Sequence, residues 1–306
     1  MSTYVARRLI FSVFVLWGAL TVVFLAVRAV PGDPAQMMMG PNATADEMNA
    51  LREKLGLNRP LLVQYATYML QTLRLDLGES LRLAQPVVWL VAERLPTTGK
   101  LALAAILIAV AVSFPLGIAA AVRPGGWLDA LVSVVSLLGQ SVPGFWLGIM
   151  FILVFARSLR LLPSAGDESW AHLILPSITV ALPLVGVLTR LVRSGLLDVL
   201  DEDYIRTARA KGLTAGAVMW RHALRNMLIP VITVIGLQIG HLLGGAVITE
   251  TVFAWPGVGL LLVDAITNRD YPLVQAAILF ITAIFVAINF LVDLSYGALD
   301  PRIRLQ

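Results

Sequence analysis

The sequence predicts an all-α integral membrane protein with six transmembrane helices, and three observations carry that prediction. Hydrophobic residues make up 58% of the 306 and charged residues only 14%. A soluble domain carries about 25% charged residues, so most of this chain is not built to face water. Six uncharged runs, 9–27, 101–122, 130–156, 169–189, 226–249 and 271–292, are of the length, roughly 20 residues, that a helix needs to cross hydrocarbon. Between them the basic residues fall unevenly, as they do in loops sorted across a bilayer.

The first run follows Arg7 and Arg8, and its 19 uncharged residues are too many for the apolar region of a secretory signal, about 7 to 15. No small-x-small cleavage site follows it, so it reads as a retained helix. The segment after it opens with the turn PGDP at 31–34. TADEMNALREKLGL then reads as a short helix in which Thr44 and Glu47 form a capping box. LVQYATYMLQTLRLDLG, from Leu62, reads as an amphipathic helix ending at Gly78. Some 70 residues bury little core alone, so this insert packs on the ends of the spans rather than forming an enzyme domain. Later, QSVPG in the third run predicts a kink at Pro143. In the fifth run Gly236, Gly240 and Gly244, with Gly245, predict a bare packing ridge.

An even number of spans returns both termini to one side, and the positive-inside rule selects it. With the N-terminus cytoplasmic, the inner segments hold twelve basic residues: Arg7, Arg8, Arg123, Arg190, Arg193, Arg206, Arg209, Lys211, Arg221, Arg225, Arg302 and Arg304. The two short outer loops hold three, Arg157, Arg160 and Arg269. The other eight lie in 28–100, a segment so long that the rule bears on it weakly. The predicted organisation is a cytoplasmic N-terminus and first helix (1–28), an extracytoplasmic helical insert (29–98), a five-helix core (99–297) containing a cytoplasmic loop (198–225), and a cytoplasmic tail (298–306).

Several functions are excluded. There is no cysteine, hence no disulfide, thiol nucleophile or thiolate metal site. His172, His222 and His241 lack metal-ligand spacing, and neither HExxH nor GxSxG occurs. Gly99 and Lys100 are followed by leucine, with Arg94 where a phosphate loop has its first glycine, so the chain does not hydrolyse ATP. The basic residues flank apolar spans instead of lining a soluble face, which argues against nucleic acid as a partner.

One stretch departs from the rest: DEDYIRTARAKGLTAGAVMWRHALRN, residues 201–226. Asp201, Glu202 and Asp203 favour a helix N-terminus, and Glu202 with Arg206 is a favourable i,i+4 pair. On a helical period Tyr204, Ala208 and Gly212 share a stripe flanked by Ile205, Thr207 and Leu213, while Arg206, Arg209 and Lys211 cover the remainder. Gly212 ends this helix, and a second segment from Thr214 carries Trp220, His222 and Leu224 until Pro230 opens the fifth span. Membrane surfaces are bound through bulky apolar faces. A face of small residues instead admits another protein closely.

Here the residues resemble a family. RTARAKG, 206–212, is similar to the EAA-x-x-x-G loop of ATP-binding-cassette importer permeases, in the form typical of the dipeptide, oligopeptide, glutathione and nickel permeases. YVARR at 4–8, PGDP, LGL followed by VQY, DLG at 76–78, RHALRN at 221–226, ETVFAWPGVG at 250–259, RDYP at 269–272 and LDPRIR at 299–304 extend the resemblance over nearly the whole chain. Arg206-Thr207-Ala208 replaces Glu-Ala-Ala and the later proline is delayed to Pro230, departures usual in the peptide branch. The resemblance implies a type I importer permease fold in the bacterial cytoplasmic (inner) membrane. It implies a related second permease forming a heterodimer, two ATPase subunits that bind ATP and Mg, and an extracytoplasmic substrate-binding protein. It also implies that Asp203, Tyr204, Ile205, Arg206, Thr207, Ala208, Arg209, Ala210, Lys211, Gly212 and Leu213 form a coupling helix seated in an ATPase cleft.

No charge falls within the six runs, whereas proton-coupled transporters use intramembrane ionisable relays. A passive gate worked by another subunit fits better. Gln140, Ser141 and Pro143 in the third span and Gln238 and His241 in the fifth are the candidate translocation path, although each polar group, like Asn289, would also serve a helix–helix hydrogen bond. The sequence thus reads as the permease subunit of an ATP-driven importer of di- or oligopeptides, itself non-catalytic and without cofactor or metal. Nickel or glutathione uptake remains open within the family. The contrasting class is a secondary transporter or membrane scaffold without an ATPase.

Overall fold

A computed structural model of the chain describes residues 2–29, 44–54 and 56–299. In order come α1 (Ser2–Ala29), α2 (Ala45–Lys54), α3 (Leu61–Leu73), α4 (Val87–Val122), α5 (Trp127–Ser141) and α6 (Gly144–Phe151), which continues as a π-helical segment, Ile152–Ser158. Next are α7 (Trp170–Leu200), α8 (Asp203–Ala210) and the short turn Ala215–Ala217, which runs through a π-helical segment, Val218–Ala223, into α9 (Leu224–Val252). The last are α10 (Val258–Thr267) and α11 (Tyr271–Leu299). Among the described residues, extended pairing is confined to a single bridge between Glu79 and Pro86.

Helices cover all six apolar runs, but not all as expected. Among the described residues, Val5–Ala29, Val87–Val122, Trp170–Leu200 and Tyr271–Leu294 are each long and apolar enough to cross alone. The third run is no single rod: α5 and the helix Gly144–Ser158 meet at 103°. Pro143 is the cause. It has no N–H to donate, and Val142 before it is held extended at φ −85° and ψ 128°, as residues preceding proline are. The fifth run lies within α9, where the side chains of 229, 239–241, 243 and 245 are outside the described residues. Pro230 does not open that helix but lies inside it, so the segment from Thr214 and the fifth run form one continuous element.

Other boundaries also moved. The capping box is formed: the Thr44 N–H donates to Glu47 Oε2 (2.9 Å) and the Glu47 N–H to Thr44 Oγ1 (3.4 Å). Donation to Glu47 Oε2 by the Thr44 N–H, and by the Thr44 hydroxyl at 2.8 Å, holds the Glu47 carboxyl below its ordinary range. The amphipathic helix ends at Leu73, earlier than Gly78. The turn PGDP and Arg302 and Arg304 lie outside the described residues.

The described residues divide into two compact units, one within Ser2–Thr97 together with Pro256–Ala287 and one of Thr98–Trp255 together with 288–299. In the first unit Phe24 of α1 is buried, with Tyr65 and Tyr68 of α3 packed on it at ring distances of 5.2 and 5.5 Å. The Arg28 guanidinium lies 3.7 Å over the same ring, and its Nε donates to Gln64 Oε1 at 2.9 Å. Burial pushes the Tyr68 phenol up to about 12. A cavity of about 850 Å³ beside them is lined by Arg28, Glu53, Arg59, Gln71 and Asp76 among others. Elsewhere in this unit Ser80 Oγ donates to the buried Asp270, and Val87 and Val91 pack with Val258, Ala265, Leu273 and Ala277.

The second unit is assembled around α7. Its buried side chains Leu184, Leu188, Val192 and Leu196 share one core with Leu101, Ala105 and Ala109 of α4 and with Leu224, Met227 and Val231 of α9. Against α5 the contact is closer still: a Cβ on Gly139 would stand 3.1 Å from the Leu182 carbonyl oxygen, and one on Gly186 only 2.5 Å from that of Ser136. Small residues permit this approach, the usual way helices associate where hydrocarbon supplies no hydrophobic drive. Asp129 and Arg193 close the same seam with two parallel hydrogen bonds, Arg193 Nη2 to Asp129 Oδ2 being 2.7 Å. The glycine ridge of α9 is only partly a packing surface. A Cβ on Gly236 would meet Val292 at 2.4 Å, while one on Gly244 would meet nothing within 4 Å.

Gly186→Val is therefore expected to force α5 from α7 and cost about 1–3 kcal/mol. Gly244→Val is expected to stay within about 0.5 kcal/mol of the parent. Thermal unfolding of the two variants in detergent measures the difference, and equal melting temperatures would refute the seam.

Candidate functional site

The residues of the candidate coupling helix occupy α8 and the turn behind it. Ile205 and Ala208, one helical turn apart, are buried in the core shared with Val192, Leu196, Val218, Ala223, Leu224 and Met227. Asp203, Tyr204, Arg206, Thr207, Arg209, Ala210, Lys211, Gly212 and Leu213 are exposed. This corrects the expected stripe: Ala208 faces the chain's own core and is not open to a partner. The reason is length. An eight-residue helix is marginal in isolation, so its most apolar line, Ile205 and Ala208, is used to anchor it.

Two further bonds fix α8. The Asn226 side-chain amide donates to the Tyr204 hydroxyl at 2.7 Å, tying the helix to the start of α9. At its end Gly212 turns the chain with φ +80°, a conformation that costs glycine little. The Leu213 N–H then returns to the Ala208 carbonyl at 3.3 Å. Thr214 caps the next segment by accepting from the Ala217 N–H at 3.3 Å. The expected Glu202–Arg206 pairing is replaced by Arg206–Asp203, 3.5 Å apart and exposed, a contact of little stabilising value. The exposed face thus combines small side chains, Thr207 and Ala210, with three cations.

The candidate path residues are brought together in part. Gln140, Ser141 and Pro143 lie exposed where α5 ends and the chain bends. Gln140 donates from Nε2 to the Ser136 carbonyl at 3.0 Å and accepts at Oε1 from Arg190 Nη2, also at 3.0 Å. Ser141 Oγ donates to the Leu137 carbonyl at 2.8 Å. Gln238 is half-buried on α9, and no recorded hydrogen bond joins it to the α5 end among the described residues. The His241 side chain is outside the described residues.

Two ionisable residues were missed because the apolar runs stop just short of them. Arg190 follows the run 169–189, yet α7 continues to Leu200, and the apolar period of Leu191, Val192, Leu196 and Leu197 signalled as much. Glu250 follows the run 226–249. It lies inside α9, is fully buried, and accepts from Thr98 Oγ1 at 2.7 Å. A buried carboxylate needs such donors.

Comparison with known proteins shows the family and the fold. Residues 113–305 match the family model described as the binding-protein-dependent transport system inner membrane component, and residues 1–102 match the model for the N-terminal part of such membrane components. A probable peptide ABC transporter permease protein of Sinorhizobium fredii is 42% identical over 312 residues, covering 99% of this chain and 100% of the relative. The glutathione transport system permease protein of Salmonella typhimurium is 43% identical over 306 residues, with both chains fully covered. The dipeptide transport system permease protein of Alkalihalophilus pseudofirmus is 40% identical over 332 residues, covering 99% of this chain and 100% of that one. Among solved structures, the inward-facing MetNI methionine ABC transporter superposes with a TM-score of 0.58 at 19% identity, covering 70% of this chain and 98% of that chain. That likeness establishes the type I importer fold. The chain belongs to the family of inner membrane components of binding-protein-dependent transport systems.

Proposed function

We propose that this chain is one of two permease subunits through which an ATP-driven importer passes di- or oligopeptides. The carrying observation is its full-length identity, at 40–43%, to permeases named for peptide, glutathione and dipeptide transport. Glutathione is itself a small peptide, so uptake of that compound is the second reading the same observation favours. The other parts of the machine are a related permease, two ATPase subunits that bind ATP and Mg, and a substrate-binding protein outside the membrane. In this assembly both termini and α8 are cytoplasmic, and the helical insert within 29–98 faces the binding protein.

Coupling is mechanical in this proposal. The exposed face of α8 seats in an ATPase cleft, and its buried face and the Tyr204–Asn226 bond hand the motion to α9, which carries Gln238 and His241. The path runs past the α5 bend, where Gln140 holds the Arg190 guanidinium toward a peptide's terminal carboxylate. Neutral amides and one fixed cation offer a dehydrated peptide hydrogen-bond partners without gripping it.

Orientation is tested by single cysteines introduced into a chain that has none. A cysteine at Ala215 is expected to react with an impermeant maleimide only from the cytoplasm, and one at Ala165 only from outside; the opposite pattern would reverse the orientation. The coupling face is tested by Thr207→Trp and Ala210→Glu, which are expected to abolish co-purification of the ATPases while the permease still purifies folded. Ala208→Glu is expected to lose the permease itself, because it buries a charge. Normal ATPase recovery with both surface variants would remove α8 from the coupling role. For the path, Arg190→Gln and Gln238→Leu are each expected to lower uptake into proteoliposomes severalfold with the binding protein's affinity unchanged. Undiminished uptake in the double variant would return these residues to ordinary helix packing.

A further inference from the structure

We propose that a groove between α4 and the start of α9 is a binding site for an anionic phospholipid. It measures about 450 Å³ and is lined by Phe114 of α4 and by Trp220, Arg221, Leu224, Arg225 and Leu228. Its chemistry is divided. Phe114, Leu224 and Leu228 form an apolar floor, whereas Arg221 and Arg225, one helical turn apart, are both exposed. Trp220 stands beside them, 71% exposed. Among the described residues neither guanidinium has a carboxylate partner.

Each part of a phospholipid answers one of these features. A phosphodiester accepts paired hydrogen bonds from guanidinium groups, and two arginines in an i,i+4 relation present a double set to it. Indole rings favour the boundary between headgroups and hydrocarbon. Arg225 immediately precedes the apolar run 226–249, so the two cations stand at headgroup depth while the floor continues toward the acyl chains. Phe114 lies eight residues inside the end of α4 at Val122, about 12 Å along the helix, a depth that hydrocarbon reaches and a soluble protein does not. Charge complementarity selects an anionic lipid. A phosphatidylcholine headgroup would bring its own quaternary ammonium against the two cations.

The test is photolabelling of the full chain in its native assembly, in nanodiscs of phosphatidylcholine doped with a photoreactive phosphatidylglycerol. Mass spectrometry is expected to place the adducts within 218–228 and around Phe114. The same dose of photoreactive phosphatidylcholine is expected to label these sites about tenfold less. Arg221→Gln and Arg225→Gln are each expected to lower phosphatidylglycerol labelling about fivefold, the factor a basic residue near an anionic surface contributes. Equal labelling by the two lipids would overturn the proposal by making the groove an ordinary lipid contact. So would labelling that appears only after the assembly's other subunits are stripped away, since a protein would then be the occupant. If a variant does not purify, the headgroup comparison on the unaltered chain decides.

Discussion

The close approach of α5 to α7 is the contact on which the second unit depends. Hydrocarbon gives apolar side chains no reason to leave it for one another, so helices within a bilayer are held by packing and hydrogen bonds. At Gly139 and Gly186 the facing backbone leaves little or no room for a methyl group, whose carbon would stand 3.1 and 2.5 Å from a carbonyl oxygen. On α7 the residues Gly186, Arg190 and Arg193 follow one stripe, and all three meet α5, at Ser136, Gln140 and Asp129. The glycine sets the distance, and the arginines set the register. The Asp129 carboxylate also accepts from the Gly125 N–H at 3.0 Å, near the N-terminus of its helix where negative charge is favoured. With α5 held in this way, the bend at Pro143 is directed by a fixed helix.

The same economy explains α8. Isolated helices of its length do not persist in water, so a short surface helix has to borrow stability from the bundle. Ile205 and Ala208 supply that anchorage, and the Tyr204–Asn226 bond adds a lateral tie. What remains outside is flat and basic. Beyond the turn at Gly212, the stretch from Ala215 continues through Val218–Ala223 into α9, so only a four-residue turn separates α8 from the helix that carries the fifth apolar run.

Much of this was legible in the residues. Hydrophobic runs located apolar helices, four of which among the described residues are each long enough to cross alone, because the solvent they must match is uniform. The Thr44–Glu47 cap and the start of α8 at its acidic cluster were also readable, since both rest on interactions within one turn. What failed depended on tertiary context. Pro230 looked like a helix opener, but a helix in a bilayer tolerates an internal proline when its neighbours satisfy the freed carbonyl. Ala208 looked like a docking surface because period alone cannot say which stripe of a short helix faces home. Arg190 was counted in a cytoplasmic segment and Glu250 fell just outside the fifth run, because an uncharged window ends at the first ion, whereas a helix does not.

Glu250 shows why that last failure matters. A carboxylate taken fully out of water is costly unless donors replace its hydration, and a membrane protein has nearby a much cheaper place for charge, the interface. Thr98 supplies one donor from α4, so the interaction joins the first helix of the second unit to the end of α9. An apolar pair of similar volume would hold these helices at least as well. What a buried carboxylate adds is directionality: it makes a hydrogen bond in one arrangement of α4 and α9 and suffers a desolvation penalty in others. Such a contact defines the relative position of the two helices more sharply than dispersion forces would, because those are not directional.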